Sequence, residues 1–286
     1  MRIRLFACHH LRPQDPINTE LFCTIASGVP REPGDVFLSD LDGENIAHKE
    51  DYCELRQQFF VWKNLISEYD FVGFEHYRRL FYIDPCSPQL VEARYPRVWR
   101  QRRQVFTNTL PWVQQVSAAC LQEYIELRRD LDAASVLAVK RWIAGYDIIV
   151  TRPHHENIRL TWERAHAAAM ETWHQLIPAF ERHSYFRNHP RYINEDIVAN
   201  YYLNMYIMRV EYFDEYMRFL EEMLSYLESI TPVLPFPRLW GYLAERIFSM
   251  YLHQKRMENP LLRVAEVPYL RADPDIGNEL LSAGTV

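Results

Sequence analysis

The run Tyr69-Asp70-Phe71-Val72-Gly73-Phe74, followed at once by Glu75-His76-Tyr77-Arg78-Arg79, constrains this chain more than any other stretch. A short apolar run of this kind reads as a buried strand. This one ends in an acid, an imidazole, a phenol and two adjacent guanidinium groups. Open α/β sheets bind ligands outside the carboxyl ends of their strands. Adjacent guanidinium groups there can grip a diphosphate through paired, charge-assisted hydrogen bonds, which a hydrated lysine does less well. The competing reading of Arg78 and Arg79 is ion pairing with surface acids.

The rest of the chain alternates. Ile3 to Cys8 reads as a first strand, closed by His9 and His10. Residues 11–34 hold four prolines and read as loop; Asp35 to Ser39 is a second short strand. Tyr52, Leu55, Phe59, Trp62 and Ile66 recur at three- and four-residue spacing, which is one apolar helix face. Residues 92–142 read as helical, Tyr146 to Val150 as a strand, and 157–182 as helical. Asn204 to Met208 is a further strand. Phe213, Tyr216, Leu220, Met223 and Leu227 again share one helical face. Pro232, Pro235 and Pro237 break the chain before a last helix near 241–255. Alternating strands and helices predict an α/β fold with a mostly parallel central sheet and helices on both faces. The expected layout is a single domain, 1–286. About 1–90 and 145–210 form the sheet core, about 91–144 a helical insertion, and 211–286 a C-terminal helical part.

Composition excludes several classes. With 286 residues, 48% of them hydrophobic, the chain can bury one large core. It has only 8 Gly and neither GxGxxG nor GxxxxGK[ST], against a dinucleotide fingerprint or a P-loop. A net charge of -6 argues against nucleic acid as a partner. No HExxH and no GxSxG is present, so zinc-protease and serine-hydrolase chemistry have no support. The 5 Cys are scattered without CxxC spacing, which suits a reduced, cytoplasmic protein. No run approaches a membrane span, so any membrane contact is expected to be peripheral, at the inner face of the plasma membrane.

Six ordered stretches carry a family resemblance. Asp42-Gly43-Glu44-Asn45-Ile46 leads into Tyr52-Cys53-Glu54-Leu55, Trp62-Lys63-Asn64 and His76-Tyr77-Arg78-Arg79. Asn204-Met205-Tyr206-Ile207-Met208 and Arg238-Leu239-Trp240-Gly241-Tyr242-Leu243-Ala244-Glu245-Arg246 follow. The chain resembles the bacterial glycosyltransferases grouped as domain of unknown function 4422, found in capsule and O-antigen assembly. The resemblance implies a GT-A-like (Rossmann-like) fold. It also implies transfer of a sugar from a nucleotide donor to a hydroxyl of a cell-surface glycan or lipid-linked glycan. A UDP-linked sugar is the expected donor, with galactose in pyranose or furanose form as a candidate. The alternatives are a nucleotide-sugar-binding protein without turnover and a nucleotide-sugar hydrolase.

The resemblance and the residues together give a candidate site. His9, Asp40, Asp42, Asn45, Lys63, His76, Tyr77, Arg78 and Arg79 are the expected donor-binding residues. Short acids and amides such as Asp40, Asp42 and Asn45 also simply make turns and caps, and Lys63 has the plain reading of a solvated helix end. Glu75-His76-Tyr77 stands where GT-A enzymes carry a metal-binding Asp-x-Asp. Either no metal is required, or Glu75 and His76 hold Mn²⁺, which accepts an imidazole better than Mg²⁺ does. Glu245 lies on a helix apolar on both sides, where a carboxylate needs a partner or a function. It is the expected catalytic base, with Asp196 in reserve and Arg246 or Arg238 as the partner in the structural reading. Finally, Arg94 to Arg103 carries five arginines and two aromatics. It suits an anionic membrane surface or a lipid diphosphate, or else a plain solvated face.

Overall fold

The structure is a computed structural model that describes residues 1–83, 92–98, 113–182 and 199–272. Its centre is a sheet with strand order β11-β7-β10-β4-β1-β2-β3. The strands are β1 Ile3–His9, β2 Phe22–Ala26, β3 Leu38–Ser39, β4 Phe71–His76, β7 Ile148–Thr151, β10 Tyr206–Arg209 and β11 Val264–Val267. All neighbouring pairs are parallel except those of β10, which runs antiparallel to both β4 and β7. An extension is built from β5 Arg79–Phe81, β6 Val113–Val116 and β12 Tyr269–Ala272. A separate ribbon pairs β8 His154–His155 with β9 Ala199–Asn200.

Side chains of β4 alternate between two cores, as a strand must. Val72 and Phe74 point into one, with Phe6 and Cys8. Helices α1 Leu55–Asn64, α4 Ile158–Ala165, α5 Met170–Arg182, α6 Val210–Ile230 and α7 Leu239–Glu258 supply buried residues to that core. Phe71 points into the other, with Ile3, Leu5, Ile149 and Ile207. Helices α2 Ala118–Arg129 and α3 Ala133–Ala144 cover that side and the extension. A sheet buried on both faces has strands that are apolar throughout. Gly73 is required on the second face: a Cβ there would lie 2.8 Å from Ile207 Cγ1.

The observed helices follow the predicted spacings, and the mostly parallel sheet with helices on both faces is the predicted one. Three details differ. Phe22–Ala26, expected to be loop, is a fully buried central strand. The part expected to be wholly helical after residue 211 ends in β11 and β12, which join the sheet. The stretch 91–144 contributes β6 as well as helices. Among the described residues, no helix is long and apolar enough to cross a membrane.

Candidate functional site

β1 sits between β4 and β2, and the chain order reverses at that point of the sheet. The carboxyl ends of β1 and β4 therefore form a topological switch point, where open α/β sheets bind ligands. Cys8 pairs in register with His76. The residues just beyond, His9, His10 and Tyr77, come together as a result. Tyr77 stacks on His76 with centroids 4.9 Å apart and stands 5.3 Å from the His9 ring. A pocket of about 340 Å³ opens here, lined by His9, His10, Leu11, Arg12 and Tyr77 among others.

Glu54 completes the group. It occupies the N-cap position of α1 but makes no side-chain capping bond. Its carboxylate instead accepts from His10 Nε2 at 3.1 Å and, through the same oxygen, from His76 Nε2. Burial pushes the Glu54 carboxyl up, but the two imidazoles outweigh it and hold it well below its ordinary value. Burial lowers His76 more than Glu54 raises it, so the net shift is downward. The arrangement is a buried carboxylate held by hydrogen bonds to two imidazoles. His9 is lowered to about 4 by burial, with His76 and His10 adding repulsion. Gln57 of α1 donates to the His9 carbonyl at 2.8 Å and fixes the helix start against the strand end.

A second carboxylate faces this cluster from α7. Glu245 accepts from the Leu203 backbone N–H at 2.9 Å and from Arg246 at 2.6 Å. Of the two arginines expected as its structural partner, Arg246 fills the role. Arg238 donates to Cys53 Sγ at 3.1 Å instead. Burial raises the Glu245 pKa; Arg246 and the Leu203 N–H oppose this without cancelling it, and repulsion from Glu54 adds to the rise. Desolvation thus outweighs the neighbouring arginine. Arg79 acts on both Glu245 and His76 electrostatically.

Among the described residues, four non-glycine residues have positive φ: Cys53 (52°), Leu203 (81°), Asn204 (51°) and Arg238 (67°). All four lie on the segments that carry or hold the two carboxylates. Cys53 precedes Glu54, Leu203 binds Glu245, Asn204 Nδ2 donates to the Gly241 carbonyl at 3.1 Å, and Arg238 begins α7. Such conformations persist only where surrounding structure over-determines them, and they gather at functional sites.

The other sequence-predicted residues are placed as follows. Tyr77, His9 and His76 come together beyond β1 and β4, and Arg79 is within electrostatic reach of both His76 and Glu245. Arg78 is exposed, its guanidinium 4.9 Å above the Tyr77 ring. Glu75 does not join His76: it faces the opposite side of the sheet and is held by buried Arg128, with Nη2 at 3.1 Å. The carboxylate beside His76 is Glu54, so the expected Glu75–His76 metal pair is not assembled. Asp40 is fully buried and ties Ser27 and the Gly28 N–H (2.8 Å) at the end of β2. Asp42 closes a capping box with Ser39 and meets Arg31 at 3.2 Å. Asn45 bridges Gly43 and Ala47 within its own turn. All three make turns and caps. Lys63 stands at the far end of α1, 3.1 Å from Glu221 and 3.8 Å over the Trp62 ring. Asp196 lies outside the described residues. Arg94 and Arg97 pair with Asp130 and Glu123 of the neighbouring α2 segment, and the remaining arginines of that run lie outside the described residues.

Glu54 and His10 are the members that sequence reasoning did not select. One signal was available: a glutamate immediately before the helix, where serine, threonine or aspartate would cap better.

The family model described as a domain of unknown function, DUF4422, matches residues 4–256, and the chain belongs to that family. Among solved structures the chain is similar to the apo structure of the WbbM bifunctional glycosyltransferase, with a TM-score of 0.67 and 22% sequence identity. The match covers 96% of this chain and 46% of that one, so the chain spans about half the length of that protein. At this identity the likeness establishes the fold. No curated protein matches the sequence.

Proposed function

We propose that the chain is a glycosyltransferase that moves a sugar from a nucleotide donor, a UDP-sugar, to a hydroxyl of a glycan acceptor. The observation that carries this reading is the switch point between β1 and β4. There a pocket lined by His9, His10 and Tyr77 opens beside the buried Glu54–His76 pair, and Arg79 and Glu245 act on that pair electrostatically. Transfer has two electrostatic needs. The leaving diphosphate needs positive charge, and the acceptor hydroxyl needs a base. Arg79 serves the first. Glu245 serves the second, because its raised pKa makes its ionised form a stronger base. Tyr77 and His9, whose rings line the pocket, hold the nucleoside end. Galactose, in pyranose or furanose form, is the sugar we favour, and a cell-surface polysaccharide the acceptor.

The test is a thermal-shift screen against UDP-, GDP- and dTDP-sugars, since a ligand that binds only the folded state raises its melting temperature. Turnover with and without glycan acceptors follows. A shift by a UDP-sugar and acceptor-dependent UDP release support the reading. UDP release without transfer would replace it with a hydrolase, and binding without any release with a binding module.

A further inference from the structure

We propose that His10, Glu54 and His76 form a site for one divalent first-row cation of borderline softness, of the Zn²⁺ or Co²⁺ kind. Each residue offers one ligand atom, and the three atoms lie within 4.8 Å of one another. Ligand atoms around a tetrahedral ion with bonds of about 2.0–2.2 Å sit roughly 3.3–3.6 Å apart. His10 Nε2 is already 3.1 Å from Glu54 Oε1, and His76 Nε2 is nearer still. A small outward movement of two rings admits an ion.

The donor set decides the class. Two imidazoles and one carboxylate suit borderline first-row metals. Mg²⁺ prefers an all-oxygen, octahedral shell. The three ligands come from separate anchored places: the turn after β1, the first residue before α1 and the last residue of β4. His76 Nδ1 is buried with no hydrogen-bond partner among the described residues. Among the described residues only Glu54 therefore hydrogen-bonds the His76 ring, and a cation placed between them can take the position of the Nε2 proton.

The site would be open on one side. The side chains of Glu54 and His76 are 9% and 4% exposed, whereas that of His10 is 29% exposed and lines the pocket. Three protein ligands leave at least one position free, and here that position faces the pocket. An ion held this way is a Lewis acid presented to an anionic ligand, such as a diphosphate. It keeps His76 of the pair expected from the sequence and has Glu54 and His10 in place of Glu75.

The proposal stands on the cluster and not on the transfer reaction, so binding is measured without donor. Chelator-stripped full chain is titrated with Co²⁺ and followed in the visible, where a tetrahedral histidine-bearing site gives intense d–d bands. The bands should appear in proportion to protein and be displaced by Zn²⁺. Zn²⁺ should also raise the melting temperature, and Mg²⁺ should do neither. His10→Ala changes the most exposed ligand and keeps the fold; Glu54→Gln keeps the shape. Each should weaken Co²⁺ binding by more than the roughly ten- to hundredfold that outer-shell changes cost. Absence of bands in the folded wild type overturns the site. Unchanged affinity in both variants, with native circular dichroism, overturns it as well. Metal binding without sugar transfer leaves the site standing and counts against the transfer reading instead.

Discussion

Glu75 and His76 are adjacent in the chain and face opposite sides of the sheet. His76 bonds Glu54 in the pocket-side cluster, while Glu75 is gripped by Arg128 from α2. Arg128 also donates to the Phe81 carbonyl at 2.7 Å, and Glu75 accepts from the Phe81 N–H at 3.1 Å. The strand end therefore carries a binding group on one face and a structural clamp on the other.

The clamp gives the first prediction. Removing one partner of a buried ion pair leaves the other uncompensated, at a cost of about 3–5 kcal/mol. Arg128→Ala should lower the denaturation midpoint by that much. Replacing both partners with apolar residues of similar volume, Glu75→Leu with Arg128→Met, should recover most of the loss. Urea titration of the two variants measures it; a stable Arg128→Ala protein would mean that Glu75 has another partner.

The two adjacent arginines should separate. Arg79 is half-buried and acts on the two-carboxylate centre, whereas Arg78 is exposed over Tyr77. Losing a charge-assisted hydrogen bond costs about 1.5–3 kcal/mol, roughly ten- to a hundredfold in affinity. UDP calorimetry should show that loss for Arg79→Ala and little change for Arg78→Ala. Equal losses would return Arg78 to the site.

Lys63 should be silent. Its ion pair with Glu221 is exposed, and such pairs contribute about 0–1 kcal/mol. Lys63→Ala should leave both UDP affinity and stability within that margin. A large fall in affinity on calorimetry would show that α1 reaches the ligand at its far end.

How far the sequence speaks depends on what holds each element. Val72, Phe74 and the helix face Phe213-Tyr216-Leu220 were legible because burial imposes a period that survives in the string. β4 was read two residues early. Glu75 and His76 are polar, yet they complete the strand by pairing with Ala7 and Cys8. β2 was missed because Phe22–Ala26 is buried throughout and shows no alternation, and the prolines around it spoke for a loop. Glu54 was hidden for a different reason. Its partners are 22 and 44 residues away, and only the pairing of β1 with β4 brings them to it. Asp40, Asp42 and Asn45 show the converse: residues with the right chemistry, used up by local turns.

Gly241 links packing to the site. A Cβ there would stand 2.7 Å from Cys53 Sγ and 2.9 Å from its Cβ. Cys53 precedes Glu54 and already has φ of 52°, so it has little freedom to retreat. Gly241→Ala should cost about 1–3 kcal/mol by overpacking. It should also reduce turnover more than Cys53→Ala does, because the strain passes to Glu54. Melting temperature and turnover of the two variants test this; a Gly241→Ala enzyme of full stability would mean that α7 can shift freely.

Glu245 gives the prediction with a sign in pH. Its carboxyl is raised above the ordinary value, chiefly by burial. In the folded state it therefore holds a proton at pH values where the unfolded chain has released it. Stability contributed by this group is complete below the unfolded pKa and falls as pH rises through the raised folded value. Activity runs the other way, because the base must be ionised: the rate should climb over the same window, above the range of a free carboxylate. Glu245→Gln removes both effects. The mutant should lose its acidic limb in the rate profile and fall about 10²–10⁴-fold in turnover. It should also keep its donor affinity, because Arg79 rather than Glu245 grips the diphosphate. Melting temperature and turnover measured across pH on one preparation separate this from a purely structural role. That role predicts a less stable mutant with the wild-type rate profile, and such a result would remove Glu245 from the chemistry and leave the Leu203 turn as the reason for its burial.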